Sequence, residues 1–251
     1  MPIVNLNSLV QALDKELKTD LIKDYPGALN GLQVANKGRV TKVAAAVDAN
    51  ESVIQMAIKA GADLLIVHHG LFWGGKQPIT GVLYRKIALC IEHNLAIYSS
   101  HLPLDAHPTL GNNILLARAL GFKKTQPAFE AFGTPIGRQV KTKISRDLLV
   151  ERLTNVVHGR VHLVAGGRHH VENVGIVTGA GDVNQAIKEG VDTFITGEIP
   201  HHAFGLALEY GINLMAAGHY ATETFGVKAL AKWMEKKFHL PWEFIDLPSG
   251  I

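Results

Sequence analysis

A seven-residue segment that occurs twice, each time ahead of an apolar strand, constrains the fold of this chain more than any other feature. Ala57-Ile58-Lys59-Ala60-Gly61-Ala62-Asp63 returns as Ala186-Ile187-Lys188-Glu189-Gly190-Val191-Asp192. The strand after the first copy ends at His68-His69, and the strand after the second ends at Gly197-Glu198. Farther on, Asn94-Leu95 opens a strand leading to His101, and Asn213-Leu214 opens one leading to His219. An acid stands four residues beyond each of these histidines, Asp105 in the first case and Glu223 in the second. Matches recurring in the same order point to duplication, although helix–strand units also resemble one another without it.

Around the first copy, 43–47 reads as a strand, 51–60 as a helix, 64–67 as a buried strand, 83–92 as a helix and 95–98 as a strand. Such alternation predicts an α/β fold of βαβ units, with a mainly parallel sheet covered by helices and active groups at the strand ends. Leu6, Leu9, Val10, Leu13 and Leu17 recur at helical intervals and predict a surface helix before it. Two similar α/β halves are therefore expected, 1–125 and 126–251. Their join is placed in 123–140, where Pro127, Gly133, Pro135 and Gly137 interrupt the pattern. Val227, Leu230, Ala231, Met234 and Phe238 predict a last helix, and 242–245 a closing strand that could join either half. Under duplication the two His-plus-acid pairs occupy equivalent strand ends, and a shared site is expected at the interface of the halves.

The histidine spacing carries the chemistry. His68 and His69 follow a buried strand and precede Gly70, which permits a sharp turn. Neutral imidazole is a ligand for zinc, iron, nickel and similar ions, yet His-His-Gly alone reads equally as an exposed turn. In His101-Leu102-Pro103-Leu104-Asp105, proline predicts an extended turn between imidazole and carboxylate. A carboxylate can bridge two cations, whereas Asp105 by itself reads better as the cap of a helix over 112–120. If the chain turns helical at once after Gly218, His219 and Glu223 share one helix face and suit chelation of one ion. The N-terminal helix dipole would explain Glu223 without a metal, but not His219. Taken jointly, these clusters predict a metal site of His68, His69, Asp105, His219 and Glu223.

Thirteen histidines in 251 residues are many, whereas a net charge of +3 with scattered basic residues argues against a nucleic-acid partner. A single cysteine, Cys90, excludes an intrachain disulfide and falls on the apolar side of its helix. MPIVNLNSLVQ lacks the charged start and apolar core of a signal peptide, so a cytoplasmic protein is expected. No apolar run approaches the roughly 20 residues of a membrane span. Gly179-Ala180-Gly181 resembles the start of a dinucleotide fingerprint, but Asn184 replaces its third glycine, and a tight turn is the better reading. Neither a GxSxG elbow nor a P-loop is present.

Together, Asn30-Gly31-Leu32-Gln33-Val34, the His-His-Gly turn, His101 to Asp105 with Gly111-Asn112-Asn113, Thr196-Gly197-Glu198, and Gly218 to Glu223 resemble the Nif-three-like family. Its bacterial members are often described as GTP cyclohydrolase I type 2 homologues. The resemblance implies two divalent metal ions per chain held by His68, His69, Asp105, His219 and Glu223, and a ring-shaped homohexamer. His101 is not among the family's usual ligands and stands as a catalytic candidate, acting by proton transfer or by orienting a ligand. Many relatives have a second histidine where this chain has Tyr220. Glu198, the repeat counterpart of His69, is read either as orienting a ligand or as solvated.

Two functions are open on this reading. One is a metal-dependent hydrolase that opens the purine ring of a nucleotide such as GTP. The other is a non-catalytic metal carrier or a regulatory protein with a protein partner. A histidine-and-carboxylate shell accepts Fe, Zn, Mn, Co or Ni, so metal identity stays open.

Overall fold

The computed structural model describes residues 2–250. In chain order the elements are β1 (Val4–Asn5), α1 (Leu6–Leu17), β2 (Gly31–Val34), β3 (Arg39–Val40), β4 (Val43–Asp48), α2 (Glu51–Lys59), β5 (Leu64–His69), α3 (Gly81–Glu92), β6 (Ala96–Ser99) and α4 (Leu102–Asp105). They continue with α5 (Asn112–Ala119), β7 (Gln126–Ala131), β8 (Thr134–Ser145), α6 (Arg146–Val157), β9 (His162–Ala165), β10 (His170–Val177), α7 (Val183–Lys188) and β11 (Thr193–Thr196). α8 (His201–Tyr210), β12 (Asn213–Ala216), α9 (His219–Phe238) and β13 (Trp242–Phe244) complete the chain. The chain forms two compact units, Met1–Leu104 with Gly226–Leu247, and Asp105–Phe225 with Pro248–Ile251.

The first unit holds a five-stranded sheet in the order β13-β4-β5-β6-β2. β13, β4, β5 and β6 run parallel, and β2 closes the edge antiparallel to β6. Val43 to Val47 and Leu64 to His68 are buried throughout, as continuous apolar strands covered on both faces must be. Asn50 caps α2 by accepting from the Val53 amide at 2.8 Å, which starts the helix where β4 ends. Ile54 and Ala57 of α2 and Cys90 of α3 pack with Leu65, Val67 and Ile97 of the sheet. Burial pushes the Cys90 thiol up to about 12, so it behaves as a small apolar side chain.

The second unit holds a six-stranded sheet in the order β7-β8-β10-β11-β12-β9. Only β10–β11 and β11–β12 are parallel, while β7–β8, β8–β10 and β12–β9 are antiparallel. The sheets are thus mixed rather than mainly parallel. The segment expected as an irregular join, 123–140, instead runs through a long β-hairpin of β7 and β8. Ala131 pairs with Thr134 across a turn in which Phe132 and Gly133 have φ of 51° and 82°. Two consecutive positive φ angles give the turn whose twist matches antiparallel strands, so Gly133 reverses the strand instead of ending it. Pro127 is tolerated because β7 is an edge strand.

Alternation along the central strands covers both faces of this sheet. Ile195 and Met215 pack with Leu116, Leu149 and Leu153 of α5 and α6. Their neighbours Phe194 and Leu214 point the other way, onto Val183, Ala186, Ala203 and Ala207 of α7 and α8. Full burial of a side chain such as Phe194 is worth about 1.5–3 kcal/mol. Among the described residues no helix is long and apolar enough to cross a membrane.

Candidate metal centre

In the first unit, β5 delivers His68 and His69 at its C-terminal end. His68 is fully buried, and its Nδ1 lies 2.9 Å from the Ser100 carbonyl oxygen. A carbonyl can only accept, so Nδ1 carries the hydrogen and Nε2 the lone pair. The parallel register places Asp48 of β4 opposite His69, and Asp48 Oδ1 stands 2.8 Å from His69 Nδ1. Adjacent strand residues diverge, yet the two rings converge, with centroids 4.8 Å apart.

His101 joins them, its centroid 5.0 Å from His68 and 5.7 Å from His69. One ring nitrogen from each of the three lies within 4.8 Å of the others. His101 Nδ1 is 2.9 Å from Asp24 Oδ1, while Asp24 Oδ2 accepts from Asn30 Nδ2 at 2.8 Å and from the Leu102 amide at 3.1 Å. Asn30 Oδ1 in turn accepts from the His101 amide at 2.8 Å. Burial raises the Asp24 pKa, but the hydrogen bond and charge of His101, with bonds from Asn30 and the Tyr25 amide, outweigh it and hold the carboxyl at about 2. Trp73 stands edge-on to His101 at 4.9 Å and donates its indole N–H to the Gly70 carbonyl at 3.0 Å.

The turn after His101 is not extended. α4 begins at Leu102, and Pro103 sits in its first turn, where an N–H has no helical partner to lose. The helix places Asp105, 5 % exposed, where its Oδ1 accepts from Asn112 Nδ2 at 2.9 Å. Asp105 is not the cap of α5, whose N-cap is Gly111.

In the second unit, α9 starts at His219, which puts Glu223 one turn on along the same face, as the i, i+4 spacing predicts. His219 Nε2 lies 3.1 Å from Glu223 Oε2, and Nδ1 meets the Glu198 carboxylate. The hydrogen bond to Glu223 raises the His219 pKa, burial opposes it, and the charges of Glu223 and Glu198 with the Glu198 bond carry it to about 9. Glu198 therefore orients an imidazole rather than being merely solvated.

The glycines at 179–181 serve this site and form no nucleotide fingerprint. Gly179 has φ +66°, and a Cβ there would lie 2.1 Å from Glu223 Oε1. Its amide donates to Thr222 Oγ1 at 3.0 Å, and that hydroxyl donates to the His219 carbonyl at 3.0 Å. Its own carbonyl accepts from the Gly197 and Glu198 amides, which ties the strand-end loops together. Asp24, Asp48 and Thr222 were not singled out from sequence, since nothing local marks them; Tyr220 is buried.

Four imidazoles thus have Nδ1 held by an oxygen acceptor: His68 by Ser100, His69 by Asp48, His101 by Asp24 and His219 by Glu198. Metal-binding histidines are oriented in this way, so the residues fit divalent ions. Nitrogen and carboxylate donors without thiolate suit Fe, Zn, Mn, Co or Ni.

A profile of the family described as Duf34/NIF3 (NGG1p interacting factor 3) matches residues 4–249. The GTP cyclohydrolase 1 type 2 homolog of Deinococcus radiodurans is 40% identical over 255 residues, covering 99% of this chain and 95% of that protein. The protein of the same name from Archaeoglobus fulgidus is 38% identical over 250 residues, covering 99% of this chain and 100% of its own. A crystal structure from Thermus thermophilus matches with a TM-score of 0.92 at 40% identity, over 99% of this chain and 100% of that one.

Proposed function

Because this chain belongs to the Duf34/NIF3 family, we propose that it is a metal-dependent hydrolase acting on a nucleotide, with purine ring opening of the GTP cyclohydrolase type 2 kind as its reaction. On this proposal two divalent ions per chain are held by His68, His69, Asp105, His219 and Glu223. The observation that carries the reading is the set of imidazoles pinned at Nδ1, two of them ending β5 and one opening α9. Bound ions would polarise a substrate oxygen and lower the pKa of water. His68 and His69 supply oriented lone pairs, and the carboxylates of Asp105 and Glu223 supply negative charge. Trp73, 39% exposed beside His69 and His101, offers an aromatic surface to a planar base.

The substrate class comes from the names of the relatives. The assembly proposed is a cytoplasmic homohexamer, which the mass of the native protein would test. The deciding experiment measures metal content without chelator, then turnover of GTP and a nucleotide panel after loading with Fe, Mn or Zn. About two ions per chain with metal-dependent turnover is expected. Two ions without turnover would replace the hydrolase by a metal carrier or a regulatory protein, and no metal would end both readings.

A further inference from the structure

We propose that Arg138, with Arg118, Asn113 and Thr178, forms a phosphate-binding site that holds a phosphoryl group of the nucleotide. The nucleotide rests on the reading above, whereas the anion site rests on these four residues, all of the second unit.

Strand alternation sets the face. Gln139 reaches the α7 side of the sheet, where its Nε2 donates to the Glu189 carbonyl at 3.2 Å, so Arg138 and Val140 point to the α5 and α6 side. There Arg138 stands opposite Ile176 of β10 and is 8% exposed. Its Nε has no hydrogen-bond partner, and among the described residues the guanidinium makes no ion pair. Burial and the like charge of Arg118 on α5 hold its pKa below the usual arginine value, and no carboxylate offsets them. Arginine nevertheless stays protonated in proteins, so an unpaired buried guanidinium destabilises the fold until an anion meets it.

Two further donors on this face lack partners. Thr178 continues the alternation of Val174 and Ile176, and its amide donates to Asn113 Oδ1 at 2.8 Å. Asn113 Nδ2 and Thr178 Oγ1 are left buried without hydrogen-bond partners. The Cα of Thr178 lies about 7 Å beyond that of Ile176 on the same face, a span that an extended arginine side chain covers. A guanidinium fork with an amide and a hydroxyl, and no carboxylate among them, suits a tetrahedral oxyanion. The chain also ties this cluster to the proposed metal donors. Asn113 follows Asn112, which donates to Asp105, and Thr178 precedes Gly179, which lies against Glu223.

The test uses the full chain stripped of metal, so that phosphate has no ion to bind. Inorganic phosphate should raise the melting temperature of wild type more than that of Arg138→Met, in which only the general effect of the salt remains. Without phosphate, Arg138→Met should melt no lower than wild type, because it removes an unpaired buried charge. By calorimetry, Arg138→Gln is expected to weaken phosphate binding about 10–100-fold, and Arg118→Gln to weaken it less. GMP should bind more tightly than inorganic phosphate and lose affinity in Arg138→Gln, while guanosine binding stays unchanged. Equal affinity for phosphate and GMP would mean a free-phosphate site and overturn the nucleotide assignment. No phosphate binding to wild type, or unchanged phosphate affinity in a folded Arg138→Gln protein, overturns the site itself. Metal content of Arg138→Gln should match wild type, so either failure leaves the metal reading standing. Two ions without turnover would remove the hydrolase and leave phosphate binding at Arg138 intact.

Discussion

Asp24 and His101 stand 77 positions apart in sequence and 2.9 Å apart in the fold. That separation makes the pair a sensor of tertiary structure, because neither residue has a local reason to be where it is. A buried carboxylate without partners would cost several kcal/mol, and Asp24 avoids this through His101, Asn30 and two backbone amides.

The depressed Asp24 pKa makes the metal-free protein acid-sensitive. A carboxyl lowered from 3.8 to about 2 contributes stability that is present above pH 3.8 and lost as pH falls through about 2. Urea unfolding of metal-free protein across pH 5 to 2 should fall more steeply for wild type than for Asp24→Asn. Parallel curves would show that the pair does not stabilise the fold.

His219 predicts proton release on metal loading. With its pKa raised to about 9, the metal-free ring is protonated at pH 7.5 and must lose that proton to become a ligand. Calorimetry in buffers of different ionisation enthalpy should find about one proton released at pH 7.5, declining as pH passes about 9. The same raised pKa stabilises the metal-free fold below pH 6.5, and that contribution is lost as pH rises through about 9.

Gly179→Ala places a methyl group against the Glu223 carboxylate in a left-handed backbone position. The backbone conformation alone costs about 1–2 kcal/mol, and Glu223 must move as well. A lowered melting temperature with reduced metal content is expected. Unchanged values for both would mean that the loop relaxes without disturbing Glu223.

Removing single donors should separate binding from folding. His68→Ala and Glu223→Ala are each expected to lose or weaken metal, measured by elemental analysis after gel filtration, while circular dichroism stays that of wild type. Full metal content in both variants would refute the proposed ligand set.

Thr222→Val keeps the shape of a fully buried side chain while removing the hydroxyl that joins the Gly179 amide to the His219 carbonyl. A buried amide left unmatched costs about 1–3 kcal/mol. Urea denaturation should show a loss of that size, and a loss well below it would indicate that the amide finds another acceptor.

The recurring segment was legible because its last residue has a local task. Asp63 accepts from the Thr41 and Lys42 amides just before β4, and Asp192 accepts from those of Glu172 and Asn173 within β10. The strand registers after the two copies differ by one residue in where the histidine falls. Leu64, after Asp63, faces Ala96, and Thr193, after Asp192, faces Asn213, which puts His101 five residues beyond the first register partner and His219 six beyond the second. The parallel strands and their helices were written in apolar periodicity, and the i, i+4 pairing of His219 with Glu223 in helical spacing. Strand direction in the second unit was not, since Phe132-Gly133 spells a hairpin turn and a linker alike.

By itself, the amino-acid order determined the buried strands and helices beside the two copies of the repeated segment, the last helix, and which imidazoles and carboxylates fall near their ends, but not the hairpin over 126–145 or the helical turn Leu102–Asp105. Periodicity and spacing are local properties, repeated along the chain and read without knowing its path. Only the tertiary structure decided which oxygen holds each ring: Asp48 through parallel register with His69, Ser100 at the end of the next strand, Asp24 from a distant loop, and Glu198 beside α9. Those partners are chosen by strand register and loop closure, and the hydrogen bonds that aim a side chain depend on where the chain returns rather than on which residues adjoin it.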